Sequence, residues 1–118
     1  ILYRLVGSEM CIRDRKYVQK EIEVSCTQLK TFCKENNIDH VDLIWMDLQG
    51  AELIALESMG KELLSTVQVI HTELETTPIY KNQCLYSDVH QFLKTNGMYR
   101  AEGNSSLAFG QNFIFVRK

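Results

Sequence analysis

With 118 residues, of which 45% are apolar and 24% charged, the chain is long enough for one domain with a core of its own and too short for two. A net charge of −2 supplies no bulk attraction for nucleic acid or for an anionic membrane surface. No apolar run reaches the length of about 18 residues that a membrane-spanning helix needs, so no membrane segment is expected. The four cysteines show no CxxC spacing, which argues against a zinc site and for free thiols in a reducing, cytoplasmic setting.

Ile1–Arg15 (ILYRLVGSEMCIRDR) shows neither strand alternation nor a helical stripe, and VGSEMCIRDR looks like a translated adapter scar. Residues 1–15 are therefore set aside as a non-native segment, the alternative being a genuine strand and turn from further upstream. Because position 1 is not methionine, the reading frame is expected to be incomplete at its start. From Lys16 the pattern becomes regular. Glu21–Ser25 alternates polar and apolar, as a short strand with Ile22 and Val24 on one face does. Thr27 can cap a helix that packs Leu29, Phe32 and Cys33 and frays at Asn36–Asn37.

Val41–Asp47 is an apolar run that stops at an acid, and Gly50 follows within a short turn. This is the signature of a buried strand entering a βα turn, the place where open α/β sheets bind ligands. Trp45 shares a strand face with Val41 and Leu43 and is read as core. After Gly50, Leu53, Leu56 and Met59 recur at three-residue steps, with Ile54, Leu63 and Leu64 widening the stripe, and Gly60 either breaks the helix or is absorbed into it.

Val67–Leu74 is a second β-prone run, followed from Glu75 to Leu85 by a loop long enough to suggest a lid or binding edge. A helix from Ser87 buries Val89, Phe92 and Leu93 and ends at Gly97. Two strands, Met98–Glu102 and Asn112–Arg117, close the chain around GNSSLAFG. The order β-α-β-α-β-α-β-β predicts an α/β fold, mostly parallel, with a terminal antiparallel hairpin.

Asp47 stands at the carboxyl end of a central strand, where a general base or a substrate-orienting acceptor projects, or where it merely caps the next helix. Glu73 and His71 share a face with Val69, so Asp47 and Glu73 can converge on one substrate if the two strands run parallel. A metal held by Asp47, His71 and Glu73 is chemically allowable, but the trio reads as rim residues bonded to their neighbours, and no metal is expected. Glu52 falls in the first turn of a helix, where the dipole favours a carboxylate.

Ile38–Gly60 (IDHVDLIWMDLQGAELIALESMG) resembles the FkbM-type methyltransferases, a branch of the S-adenosylmethionine-dependent superfamily. Asp47, Gln49, Gly50, Ala51 and Glu52 stand in register with that family's pattern, and TQLKTFCKEN, VIHTELE and FGQNFIFVRK agree with it as well. Trp45 and Gln49 depart from it, many members carrying lysine and glutamate there.

The resemblance implies the C-terminal part of a Rossmann-like class I methyltransferase sheet. Val41–Asp47 would be its fourth strand, Val67–Leu74 its fifth, and residues 16–118 a partial domain that lacks the cofactor-binding half. It further implies S-adenosylmethionine as the cofactor of the parent protein, with Met46 and Asp47 toward it. Asp47 and Glu73 would be catalytic, and Gln49, Glu52 and His71 would bind a small-molecule or glycan acceptor methylated on oxygen. The fragment alone is expected to be inactive. A non-catalytic α/β interaction module and another Rossmann-like nucleotide-using enzyme are the competing readings.

Overall fold

The computed structural model describes residues 2–6 as backbone and residues 20–101 and 111–118 in full. Residues 1, 7–19 and 102–110, which include most of the segment 1–15 expected to be non-native, lie outside the described residues. The central element is β4 (Val69–Leu74), in which half-buried and buried residues alternate strictly. Ile70, Thr72 and Leu74 enter the core, and Val69, His71 and Glu73 take the opposite face.

On one side of β4 lies β3 (Leu43–Met46), parallel to it, with Leu43 opposite Val69 and Met46 opposite Thr72. On the other side lies β6 (Gln111–Arg117), antiparallel to β4, and β5 (Met98–Arg100) pairs antiparallel with β6 at the far edge. The order β3-β4-β6-β5 makes β3, β4 and β5 run the same way with β6 against them.

A mixed α/β fold results, and the expectation of a mostly parallel sheet needs correction: of its three pairings only β3 with β4 is parallel. The reason is that β6 turns back between β4 and β5 and so converts two contacts to antiparallel ones. Outside this sheet, β1 (Leu2–Val6) and β2 (Ile22–Cys26) form a separate antiparallel ribbon.

The helices are α1 (Leu29–Glu35), α2 (Glu52–Glu57), α3 (Gly60–Leu64) and α4 (Tyr86–Thr95). Leu56, Met59 and Leu64 from the segment spanning α2 and α3, with Val89 and Leu93 from α4, close over Ile70, Leu74, Phe113 and Phe115. The stripe after Gly50 is two helices rather than one, because Gly60 takes φ +74 and the chain bends at Ser58–Met59. Asp88 starts α4 by accepting the Leu85 N–H at 2.9 Å, and Gly97, at φ +78, ends it.

Three local expectations change. Thr27 does not cap α1. Gln28 is the N-cap and contributes no side-chain bond, while Ser58 at the end of α2 accepts the Leu29 N–H on Oγ (3.0 Å) and the Lys30 N–H on its carbonyl (3.1 Å). Phe32 lies on the outer side of α1, 47% exposed, leaving Cys33 as that helix's buried residue. Trp45 is 75% exposed, because the helices pack on the Ile70 face of the sheet and alternation turns Leu43 and Trp45 away from it.

Arg117 closes the fold at its far end. Its guanidinium donates to the carbonyls of Val67 (2.8 Å), Leu64 (2.8 Å) and Asn96 (2.9 Å), which satisfies the carboxyl ends of α3 and α4 with one charged fork. No helix of the described residues is long and apolar enough to cross a membrane. Cys26, Cys33 and Cys84 are free thiols.

Candidate functional site

Parallel pairing brings the carboxyl ends of β3 and β4 to one rim, roughly a strand spacing of about 4.8 Å apart. Asp47 leaves the end of β3 and Glu73 stands next to last in β4. Both line a small open concavity together with Gln49, Gly50, Glu52, Leu74, Glu75 and Gln83. Four of these eight residues are acids and none is a lysine or arginine, so the local field favours hydroxyl donors and cations and opposes anions.

The turn after β3 is built by two consecutive residues with positive φ, Gln49 at 50° and Gly50 at 102°. Gln49 Nε2 donates to Asp47 Oδ1 at 2.6 Å, which orients the carboxylate at the rim. Behind it Glu52 is 2% exposed, and both of its oxygens accept backbone donors: Oε1 the Leu48 N–H and Oε2 the Gly50 N–H, each at 2.9 Å. The thiol of Cys84 donates to Oε2 as well, at 3.4 Å. Burial, followed by the charge of Glu52, pushes that thiol's pKa up.

The carboxyl groups of Asp47 and Glu73 are electrostatically coupled. Burial, the Asp47 charge and a hydrogen bond to Asp47 hold the Glu73 carboxyl above its ordinary pKa, with Glu75 and Glu52 adding to the effect. The native state therefore holds this proton more tightly than the unfolded chain does. Its contribution to stability is complete at low pH and is lost as pH rises from the ordinary carboxylate value, about 4, through the raised native one. Glu73→Gln removes that loss, so the variant should gain stability relative to the native sequence as pH increases across this window. Urea unfolding midpoints of the two proteins at stepped pH measure the difference; parallel profiles would deny the coupling.

Other expected site residues lie elsewhere. Met46 is 8% exposed and packs in the core beneath the rim. His71 lies on the open face of the sheet, its ring centroid 4.5 Å from that of Trp45, with a buried Nδ1 that has no hydrogen-bond partner. It is not among the residues lining the concavity. Among the described residues no three His, Cys, Asp or Glu side chains come together to hold a metal.

Gln83 and Glu75 complete the concavity without any signal in the sequence beyond their place in a long loop. Gln83 Oε1 accepts the N–H groups of Ile79 (2.7 Å) and Tyr80 (3.0 Å), and the Tyr86 N–H donates to the Glu75 carbonyl at 2.8 Å. The loop is thus closed at its base and folded on itself, a seated edge of the site.

No solved structure matches the chain. Over 62 residues it is 39% identical to the 2-O-methyltransferase NoeI of Sinorhizobium fredii (strain NBRC 101917 / NGR234), a match covering 52% of this chain and 25% of that protein. The chain thus spans about a quarter of the length of the curated relative it matches. The family model described as the methyltransferase FkbM domain matches residues 7–102, well over half of the sequence and inclusive of the whole Asp47–Glu73 rim. With that match added to a mixed α/β sheet that gathers two carboxylates at one strand rim, the chain belongs to the FkbM methyltransferase domain family.

Proposed function

We propose that this chain supplies the acceptor-facing side of an S-adenosylmethionine-dependent methyltransferase that methylates a hydroxyl of a small molecule or sugar. Its sheet would be the carboxyl-terminal part of a Rossmann-like one, with β6 inserted between β4 and β5 as its closing hairpin. The carrying observation is the convergence of Asp47 and Glu73 at the shared end of two parallel strands, in a concavity with acidic but no basic residues. The 2-O-methyltransferase name of the matched relative agrees with oxygen as the acceptor atom.

The residues present fit the charged end of the cofactor, since carboxylates without a competing cation suit a sulfonium and an ammonium group. Asp47, above the buried Met46, would face it. S-adenosylmethionine supplies an electrophilic methyl group. Among the described residues no strand-to-helix turn holds more than one glycine, so on this reading the nucleoside is held by strands other than these, and residues 16–118 alone do not turn over.

In-line displacement at a methyl group needs an aligned oxygen and a group ready to take its proton. Asp47, oriented by Gln49, accepts the acceptor hydroxyl, and the Asp47–Glu73 pair stores the proton that leaves it. Gln49 adds a neutral donor and acceptor at the same rim.

Calorimetric titration of the full-length protein with S-adenosylhomocysteine tests this reading, and saturable heat is the expected result. No heat favours an interaction module, which the exposed Leu43, Trp45, Tyr99 and Ile114 on the sheet would suit. Displacement by a nucleotide instead favours the nucleotide-using enzyme.

A further inference from the structure

The Gly50 peptide is held from three directions. Its N–H donates to Glu52 Oε2 at 2.9 Å, and its carbonyl accepts the Cys84 N–H at 3.0 Å. A Cβ built on its Cα would stand 2.6 Å from Cγ, 2.9 Å from Cβ and 3.1 Å from Cα of Gln83, so glycine alone lets the loop lie flat on the turn. The carboxylate of Glu52 joins the same two segments a second time, through the Leu48 N–H on the turn and the Cys84 thiol on the loop. Turn and loop therefore share one buried acceptor.

We propose that Glu52 is a positioning residue, whose buried carboxylate latches the Asp47–Gly50 turn to the 75–85 loop and so sets where Asp47 stands relative to the acceptor. This rests on the reading of Asp47 as the acceptor-facing group. It gives Glu52 a different task from contact with the acceptor, and it makes the loop a fixed wall of the site coupled to its catalytic turn. A carboxylate is required because it accepts on both oxygens. In glutamine one of those oxygens becomes an NH2, which meets the Leu48 or the Gly50 N–H donor to donor.

The test is Glu52→Gln in the full-length protein, read by amide hydrogen exchange, by thiol labelling and by turnover. Protection of the Leu48 and Gly50 amides should fall about tenfold, the effect of losing one charge-assisted hydrogen bond, while the Ile70 and Phe115 amides keep theirs. Labelling of Cys84 by iodoacetamide should quicken, since the carboxylate that raises its pKa is gone. Turnover should fall at least about tenfold with a much smaller change in the acceptor KM, as expected when the group that takes the proton is displaced and Glu52 itself makes no contact to the acceptor.

Unchanged protection at Leu48 and Gly50 overturns the latch, whatever happens to turnover. A raised KM with unchanged kcat overturns it in favour of direct acceptor contact. Where Glu52→Gln fails to fold, Cys84→Ala carries the same test from the loop side. It should loosen the Gly50 and Cys84 amides together, and loosening confined to Cys84 would reject the coupling. The exchange and labelling readouts need no methyl transfer. A native protein that transfers no methyl group would therefore remove the proposed function while leaving the latch itself decided.

Discussion

If Asp47 is the general base proposed above, Asp47→Asn should lower kcat of the full-length protein by about 100- to 10,000-fold, the range associated with loss of such a group. The substitution is nearly isosteric and keeps one oxygen to receive the Gln49 amide, so the turn should persist. It also removes the charge and the hydrogen bond that help hold the Glu73 proton, so the Glu73 pKa should move back toward its ordinary value. The two consequences are linked and can be read separately: single-turnover methyl transfer reports the first, and the pH dependence of unfolding reports the second. Unchanged turnover in a protein with native unfolding behaviour would take Asp47 out of the mechanism.

Gly50→Ala should destabilise the fold by about 2–4 kcal/mol, the sum of backbone strain at positive φ and overlap with a packed neighbour. Gly50 sits at φ +102, and its new methyl group would meet the Cα of Gln83 at 3.1 Å as well as the side chain of Gln83. Gln83 cannot swing aside freely, because its Oε1 holds the Ile79 and Tyr80 N–H groups and its neighbour Cys84 is bonded to the Gly50 carbonyl. Gly60→Ala provides the comparison. At φ +74 with no atom within 4 Å of its Cβ position, it carries the backbone cost alone, about 1–2 kcal/mol. The urea midpoint at constant m value measures both variants, and equal losses would show that Gln83 yields without cost.

The strand ends that form the rim are legible in the sequence. The apolar run ending in Asp47, the Val69–His71–Glu73 alternation and the glycine of the intervening turn are local patterns, and the parallel pairing of the two strands sets their ends side by side. The depth of Glu52 was not legible. A carboxylate in the first turn of a helix looks solvated, and only the folding of Leu48, Gly50 and Cys84 around it makes it one of the most buried side chains. Trp45 failed for the same reason in reverse: strand alternation assigns it a face, but which face receives the helices is settled by α2, α3 and α4.

The sequence by itself therefore determined the family and most element types from residue 20 onward, and it nominated Asp47 and Glu73 as candidates, because period, turn chemistry and motif depend on residues a few positions apart. The tertiary structure alone decided which donors go where. Ser58 caps a helix beginning 29 residues before it, Cys84 reaches a carboxylate 32 residues back, and Arg117 closes a carbonyl 53 residues away. Such bonds form because each buried polar group must find a partner somewhere once water is excluded, and no local pattern records which partner the packed chain will bring.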